Sequence, residues 1–258
     1  MKALKSVSIL GMKVHAVGFR EAVERIVAWA LAQESRYVCV ANVHMTMEAY
    51  DHSDFRRMVN GADLVVPDGM PLVWMLRRLG FPSQERVSGP DLVPALLTRA
   101  EAEDIRVGFY GSTPEVVERL LAQAQARWPH LPVVYAYSPP FRPLTPEENR
   151  RVMEEVRRSG VQMLFVGLGC PRQERWMADH RGNIPAVMLG VGAAFDFLAG
   201  AKPRAPRWMR EHGLEWLFRL LSEPRRLWQR YVLLNPRFMA LAGLQLLGLK
   251  SFEQEERS

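Results

Sequence analysis

The sequence has few cysteines, no long apolar run and no recognisable secretory leader. Cys39 and Cys170 lie far apart in apolar segments without CxxC or Cys/His spacing, which argues against a zinc site or a disulfide framework and fits a reducing compartment. The nearest approach to a membrane span, residues 238–249, is interrupted by Gln245 and is shorter than the roughly 18 apolar residues required. The N-terminus runs into Gly11 without an apolar core or cleavage site, so we expect no signal peptide.

Positive charge is concentrated near the C-terminus. The chain of 258 residues has a net charge of +6, and residues 202–237 contain nine basic and three acidic side chains, which equals the whole excess. Such a local excess indicates an anionic partner: phosphate, nucleic acid or acidic lipid. The apolar content of 48% is sufficient for the core of one large domain, with or without an appendage.

Short apolar runs alternate with amphipathic helical patterns before Gly200. These runs lack the polar alternation of a half-exposed strand, which favours a parallel sheet covered on both faces. After Gly200 the strands disappear, and Arg, Trp and Leu dominate. We predict an α/β fold, with a Rossmann-like, mostly parallel sheet and helices on both faces in residues 1–200, and an Arg-rich helical appendage in residues 201–258. The predicted strands are residues 7–10, 37–41, 64–66, 105–110, 133–137, 161–167 and 186–191.

Local signals also mark helix ends. The segment Ser112-Thr113-Pro114-Glu115 follows a predicted strand and offers a capping hydroxyl and a first-turn proline, which predicts a helix start. Thr145 and Glu148 have the spacing of a capping box, and Gly160 is suited to the left-handed cap at the end of that helix.

Two polar residues follow predicted strands at the edge where open α/β sheets bind ligands. Asp68 lies in a Val-Pro-Asp-Gly turn, and its carboxylate could accept a proton from a substrate hydroxyl. An ordinary turn aspartate is the alternative. Asn42 could hydrogen-bond a sugar or a base, with a helix cap as the alternative. The neighbouring His44 could titrate near neutrality, but we favour a structural histidine.

Two turns rich in small residues follow later strands. Residues 167–171, Gly-Leu-Gly-Cys-Pro, precede a predicted helix, and close backbone approach at such a helix start suits a diphosphate. The third glycine of a dinucleotide fingerprint is replaced by Arg172, and no Gly-Lys-Ser/Thr loop is present. Asp196 lies between two phenylalanines, where a carboxylate needs a partner such as a ribose or a backbone cap.

The basic tail interleaves arginine with Trp, Tyr and Leu. This pattern suits the interface of an anionic bilayer. Arg226 and Arg230 lie one helical turn apart and could grip a diphosphate. A solvated basic helix is the alternative, but the aromatic content and the unbalanced charge argue against it.

Together these segments resemble the WecG/TagA/CpsF glycosyltransferase family. Each segment alone is weak, whereas the ordered set, from about Asn42 to Tyr231, is specific. The matching segments are the Asn42 strand end, ADLVVPDGMPLVW, RVSGPDL, GFYGSTPE, FVGLGCPRQERW, LGVGAAFDFLAG and RAPRWMREHGLEWLFRLLSEPRRLWQRY.

The resemblance implies an inverting, metal-independent transferase that moves a sugar from a UDP-sugar to a polyprenyl-diphosphate-linked acceptor sugar in bacterial surface polysaccharide synthesis. The absence of an Asp-X-Asp motif agrees with metal independence, and no cofactor is expected besides the donor substrate. The expected location is cytoplasmic and peripheral, on the inner face of the cell membrane. Expected partners are the UDP-sugar, the lipid-linked acceptor and an anionic membrane surface, without nucleic acid. A homo-oligomer is left open.

The resemblance also implies residue roles. Asp68 is the expected general base. The expected nucleotide-sugar contacts are Asn42, Gln173 and Asp196, to which we add Gly111, Gly169 and Glu174 from the matching segments. The arginines expected to hold the acceptor diphosphate or the membrane are Arg207, Arg210, Arg219, Arg225, Arg226 and Arg230.

Other interpretations remain open at this point. Some family members have threonine two positions before the asparagine, whereas this chain has Val40, which removes a hydroxyl from the expected sugar pocket and counts against N-acetylmannosamine without naming a replacement. The donor sugar is therefore left open among N-acetylmannosamine, its uronic acid and another hexose. A non-catalytic basic module that binds membrane or nucleic acid would explain the tail but not the strand ends. A nucleotide-dependent oxidoreductase would need the third glycine that is missing.

Overall fold

The computed structural model describes residues 3–252, except for the side chains of Glu211 and Arg230. Its centre is a six-stranded sheet in the order β4-β3-β8-β7-β5-β6, and every adjacent pair is parallel. The strands are β1 Ser6–Ile9, β2 Met12–His15, β3 Arg36–Ala41, β4 Leu64–Pro67, β5 Val107–Gly111, β6 Val133–Tyr137, β7 Met163–Gly167 and β8 Val187–Gly190.

Helices cover both faces of the sheet, which confirms the predicted fold class. One face is covered by α1, α5, α6 and α9, and the other chiefly by α2, α3, α4, α7, α8 and part of α12. The helices are α1 Phe19–Leu31, α2 Val43–Asp51, α3 Ser53–Asn60, α4 Met70–Arg78, α5 Gly89–Ala102, α6 Pro114–Arg127, α7 Pro146–Ser159, α8 Arg172–His180, α9 Ala194–Leu198, α10 Arg207–Glu211, α11 Glu215–Ser222 and α12 Pro224–Leu246.

The first predicted strand lies outside the main sheet. It forms β1, which pairs antiparallel with β2 in a separate hairpin, and β2 was not predicted. Leu10 and Gly11 both have positive φ, so the chain reverses at once after β1. The pairing of Ile9 with Met12 leaves no room for a crossover helix, which a parallel neighbour would need.

The local helix signals are confirmed. Thr113 caps α6 by accepting a hydrogen bond from the amide of Val116. Thr145 and Glu148 form the capping box of α7, and Gly160 ends that helix with a φ of 65°.

The C-terminal segment, residues 201–252, is helical and arginine-rich, as predicted. It packs on the α/β core, because Phe238 and Ala242 of α12 are buried against the layer that contains α2. Arg237 also pairs with Asp51 of α2 at 2.6 Å. In the described range of 3–252, no helix is long and apolar enough to span a membrane. The domain boundary near Gly200 stays a prediction.

Candidate active site

The strand order gathers the predicted strand-end residues along one edge of the sheet. Because β4, β3, β8 and β7 are consecutive parallel neighbours, their carboxyl ends lie side by side. Asp68 follows β4, Asn42 follows β3, Gly192 follows β8 and Gly169 follows β7. Ligands of open α/β sheets bind at this edge.

The turn at Asp68 is held against the neighbouring strand. The amides of Asp68 and Gly69 both donate to the carbonyl oxygen of Ala41, at 2.8 and 3.2 Å. A Cβ atom on Gly69 would lie 3.3 Å from Cα of Asn42, so glycine allows this close approach. The backbone therefore fixes the position from which the Asp68 carboxylate extends.

Arg86 binds this carboxylate and a second one. Its Nη2 atom donates to Oδ1 of Asp68 at 2.9 Å and to Oε2 of Glu215 at 2.8 Å, while its Nε atom donates to the Asp68 carbonyl oxygen at 2.5 Å. Burial raises the pKa of Asp68 above its usual value, although the positive charge of Arg86 opposes this. Burial also opposes ionisation of Arg86, but the two carboxylates reverse this effect and raise its pKa.

Two chambers meet at Asp68. We call the first the glycine-lined chamber; its walls include Val40, Gly89, Gly169, Gln173, Gly190, Gly192, Phe197 and Arg226. We call the second the aromatic-lined chamber; its walls include His44, Met70, Arg86, Trp216, Tyr231 and Asn235. The residues that line both chambers are Asn42, Asp68, Glu215 and Arg219. The predicted base thus lies in the wall that the two chambers share.

Gln173 is held in the glycine-lined chamber by its surroundings. Its Oε1 atom accepts from the amide of Gly169 at 3.1 Å, and its Nε2 atom donates to Oε1 of Glu174 at 2.7 Å. A Cβ atom on Gly190 would lie 3.0 Å from Nε2 of Gln173. Glu174 is fully buried, so the structure places it behind Gln173 and not on the chamber wall.

Asn42 caps a helix and also lines the site. Its Oδ1 atom accepts from the amide of Met45 at 3.2 Å, which is the structural role considered above as an alternative. His44, one turn into α2, lies 3.7 Å from Glu48 and lines the aromatic-lined chamber. Helix capping and ligand contact are compatible here, because Asn42 also borders both chambers.

Asp196 and Gly111 lie outside both chamber linings. Asp196 pairs with Lys202 at 2.8 Å, and Lys202 also contacts Glu223 at 3.1 Å. Gly111 has a φ of 125°, and a Cβ atom there would lie 2.6 Å from the backbone of Gly167. Gly111 therefore serves the close packing of β5 against β7.

The six tail arginines occupy different positions. Arg219 lines both chambers and Arg226 lines the glycine-lined chamber, where it also pairs with Glu223. Arg210 contacts Asp91 at 3.6 Å instead. Arg207 and Arg225 are exposed and outside both linings, and the Arg230 side chain lies outside the described part of the chain.

Sequence reasoning missed several lining residues. Glu215, Trp216 and Tyr231 come from the C-terminal segment, where only the arginines were singled out as site residues. Arg86 opens the Arg-Val-Ser-Gly-Pro-Asp-Leu segment used for the family resemblance, so a signal for it was available. Nothing local in the sequence marks Glu215, because its partner Arg86 is 129 positions away.

A wider groove, of about 870 Å³, lies beside α7 and α8. Arg150, Arg172 and Trp176 contribute to its walls, but Asp68 and Asn42 do not. We therefore take the two chambers, and not this groove, as the candidate active site.

A carboxylate in a wall shared by two chambers can contact two bound molecules at once, which suits a group-transfer enzyme. The family model "Glycosyl transferase WecG/TagA/CpsF family" matches residues 7–251, so the chain belongs to this family and is a glycosyltransferase. The chain is also 32% identical, over 195 residues, to the N-acetylglucosaminyldiphosphoundecaprenol N-acetyl-beta-D-mannosaminyltransferase of Bacillus spizizenii. That match covers 75% of this chain and 74% of the relative. The non-catalytic module and the oxidoreductase are thereby set aside.

Proposed function

We propose that the protein transfers N-acetylmannosamine from its UDP derivative to N-acetylglucosamine linked to a polyprenyl diphosphate, with inversion and without a metal ion. The name of the Bacillus spizizenii relative, which it resembles over most of its length, supports both sugars and the lipid diphosphate. Val40 lines the glycine-lined chamber and is only 6% exposed, so it borders the space assigned to the donor. The donor sugar is therefore the part of the proposal that most needs a direct test.

The donor occupies the glycine-lined chamber in this proposal. Gly169, Gly190 and Gly192 leave backbone atoms accessible there, and Gln173 offers a fixed amide. Arg219 and Arg226 supply positive charge for the diphosphate. Asp196 joins the donor contacts only if the Lys202 pair rearranges.

The acceptor sugar occupies the aromatic-lined chamber. Trp216 and Tyr231 have ring centroids 6.0 Å apart and give one wall an apolar character. Asn235 and His44 add polar groups to the same chamber. An aromatic wall with a few polar groups is suited to a sugar ring, which has apolar and polar surfaces.

The observation that carries the mechanism is the position of Asp68 in the wall shared by both chambers. Asp68 removes the proton from the acceptor hydroxyl as that oxygen attacks the anomeric carbon of the donor. The bond from this carbon to the diphosphate oxygen breaks, and UDP leaves as an anion. Arg219 and Arg226 stabilise the charge that develops on the diphosphate.

Peripheral attachment to the inner face of the cell membrane is part of the same proposal. The C-terminal segment exposes Trp208, Trp228, Leu221, Val232 and Leu233, each between 48% and 72% accessible. Apolar and aromatic side chains beside arginines suit the surface of an anionic bilayer.

The test begins with thermal stabilisation by a panel of UDP-sugars that includes N-acetylmannosamine, its uronic acid and N-acetylglucosamine. Turnover is then measured with a polyprenyl-diphosphate-linked N-acetylglucosamine acceptor. We expect Asp68→Asn to keep donor binding and to lose about 10²–10⁴-fold in turnover, because a general base is removed. Asp104→Asn, at an exposed position in a left-handed turn, is the matched control. Full turnover by Asp68→Asn would overturn the base assignment.

A further inference from the structure

Glu215 is an acidic residue in a segment otherwise rich in arginine, and its side chain lies mostly enclosed in the candidate active site. It is the first residue of α11, lines both chambers and has a side chain only 12% exposed. Its Oε2 atom accepts from the same Arg86 nitrogen, Nη2, that donates to Asp68. Burying a carboxylate costs free energy unless it has a partner, and here that partner is shared with Asp68.

We propose that Glu215 is a positioning residue that divides the charge of Arg86 between two carboxylates and so strengthens Asp68 as a base when the C-terminal segment is docked. This inference rests on the proposed function, in which Asp68 is the base. Two features of the geometry support it: the single shared nitrogen, and the origin of Glu215 in a segment different from that of Asp68 and Arg86.

Glu215 acts on the Asp68 carboxylate in two ways. Its negative charge raises the pKa of Asp68, an effect that adds to burial and opposes Arg86. It also holds the Arg86 guanidinium in an orientation in which the Nη2 atom donates a hydrogen bond to Oδ1 of Asp68. Among the side chains that the structure describes, Arg86 binds the Asp68 carboxylate through Oδ1, so we assign the other oxygen, Oδ2, to take the substrate proton.

If the C-terminal segment moved away, Arg86 would pair with Asp68 alone. The full charge of the guanidinium would then hold Asp68 ionised at lower pH and make it a weaker base. Docking of the segment therefore assembles the walls of both chambers and also sets the strength of the base. An undocked enzyme has a weak base, which limits attack by water on the donor.

Other charged and titratable groups face the same site from their own elements. They are Cys170 in the turn before α8, His44 on α2, Arg219 on α11, and Arg226 and Tyr231 on α12. Of these, His44 could itself make activity depend on pH, so the pH profile of kcat/KM must also be recorded for the His44→Gln variant. If the fall in kcat/KM on the acidic side of the profile, the acidic limb, persists in that variant, the limb is assigned to Asp68.

The decisive measurement is the pH profile of kcat/KM for the lipid-linked acceptor at saturating UDP-sugar, in the full chain. We expect Glu215→Gln, which keeps shape but loses charge, to move the acidic limb down by about half to one pH unit. The plateau should fall by about threefold, because a weaker base transfers the proton less well. Glu215→Asp keeps the charge and should keep the limb close to that of the wild type. An unmoved limb in Glu215→Gln would overturn the proposal.

Asp51→Asn is the control for loss of a carboxylate at a contact of the C-terminal segment outside the active site, because it removes only a solvent-exposed ion pair with Arg237 that contributes little to docking. It should leave the limb in place, whereas an equal shift in Asp51→Asn would contradict a specific role for Glu215. Melting temperatures show whether each variant folds.

A second readout separates this inference from the proposed function. Carbon-13 NMR titration of the carboxyl groups, assigned by loss of the signal in Asp68→Asn, reports the pKa of Asp68 directly. A lower pKa in Glu215→Gln supports the coupling even if Asp68→Asn proves active and the base is another group. An unchanged pKa overturns the coupling and leaves the base assignment standing.

Discussion

The guanidinium carbon of Arg219 lies 5.8 Å from the centre of the Phe197 ring. Phe197 belongs to the α/β core and lines the glycine-lined chamber, whereas Arg219 comes from the C-terminal segment. The buried Nε atom of Arg219 has no hydrogen-bond partner among the described residues. The contact with Phe197 thus holds the Arg219 guanidinium, with an N–H group still available for a hydrogen bond, over the space assigned to the diphosphate of the UDP-sugar.

Arg219→Lys should therefore lower turnover although it keeps the charge. Lysine loses the guanidinium contact with the Phe197 ring and the fork of parallel donors, so we expect kcat to fall by about 10–100-fold. Steady-state rates with the UDP-sugar and the lipid-linked acceptor measure the effect. Arg225→Lys, at an exposed position outside both chambers, should stay within about twofold. Equal effects of the two substitutions would count against a specific role for Arg219.

Gly111→Ala should destabilise the fold. The residue has a φ of 125°, and an added Cβ atom would lie 2.6 Å from the Gly167 backbone, which cannot move without disturbing β7. We expect the free energy of unfolding to fall by about 2–4 kcal/mol, measured by urea denaturation.

Gly243→Ala is the matched control for that substitution. Gly243 lies within α12, and among the described residues no atom beyond its chain neighbours and the backbone of its own helical turns would come within 4 Å of an added Cβ. Alanine should raise the free energy of unfolding by about 0.5–1 kcal/mol, because glycine is the poorer helix former. A destabilised Gly243→Ala protein would show that this part of α12 needs the glycine for another reason.

Phe238→Ala should loosen the C-terminal segment. Phe238 is 1% exposed and packs in the same buried cluster as α2, so its removal leaves a cavity. We expect a loss of about 3–5 kcal/mol in the free energy of unfolding, together with lower activity. The next residue, Met239, is 54% exposed, and Met239→Ala should change stability by less than about 0.5 kcal/mol. Similar losses in both variants would mean that α12 is not docked by this face.

Stability should fall in mild acid because of His15. Burial, assisted by the charge of Lys13, lowers the pKa of His15 from 6.5 to about 4, and its Nδ1 atom lies 2.9 Å from the Val65 amide that donates to it. At pH values between about 4 and 6.5, His15 binds a proton in the unfolded chain but not in the folded chain. The free energy of unfolding therefore decreases as pH falls from 6.5 towards 4.

The contribution of His15 over that window is about 2–3 kcal/mol. Urea denaturation at several pH values measures it, and His15→Gln provides the comparison because it keeps an acceptor but does not titrate. The difference in stability between the two proteins should shrink as the pH is lowered. A difference that is constant with pH would show that His15 does not titrate in this way.

Local sequence patterns determined much of the fold. The Thr113 and Thr145 caps, the left-handed Gly160 and the apolar strands depend on interactions within a few residues, and all are present in the structure. The hairpin was only half predicted, because a four-residue strand such as β2 has too short a pattern to stand out. Placement of Asp68 and Asn42 after strands followed from the same local patterns.

The tertiary structure alone decided which residues share the active site. Asp68, Arg86 and Glu215 meet because strand order fixes the sheet edge and because α12 packs against α2, so that α11 reaches that edge. These contacts join positions up to 129 residues apart, and no periodicity or cap encodes such a distance. The sequence by itself determined the elements and the candidate base. Long-range packing determined the partner of that base, because side chains from separate segments meet only once the sheet and the C-terminal helices have docked.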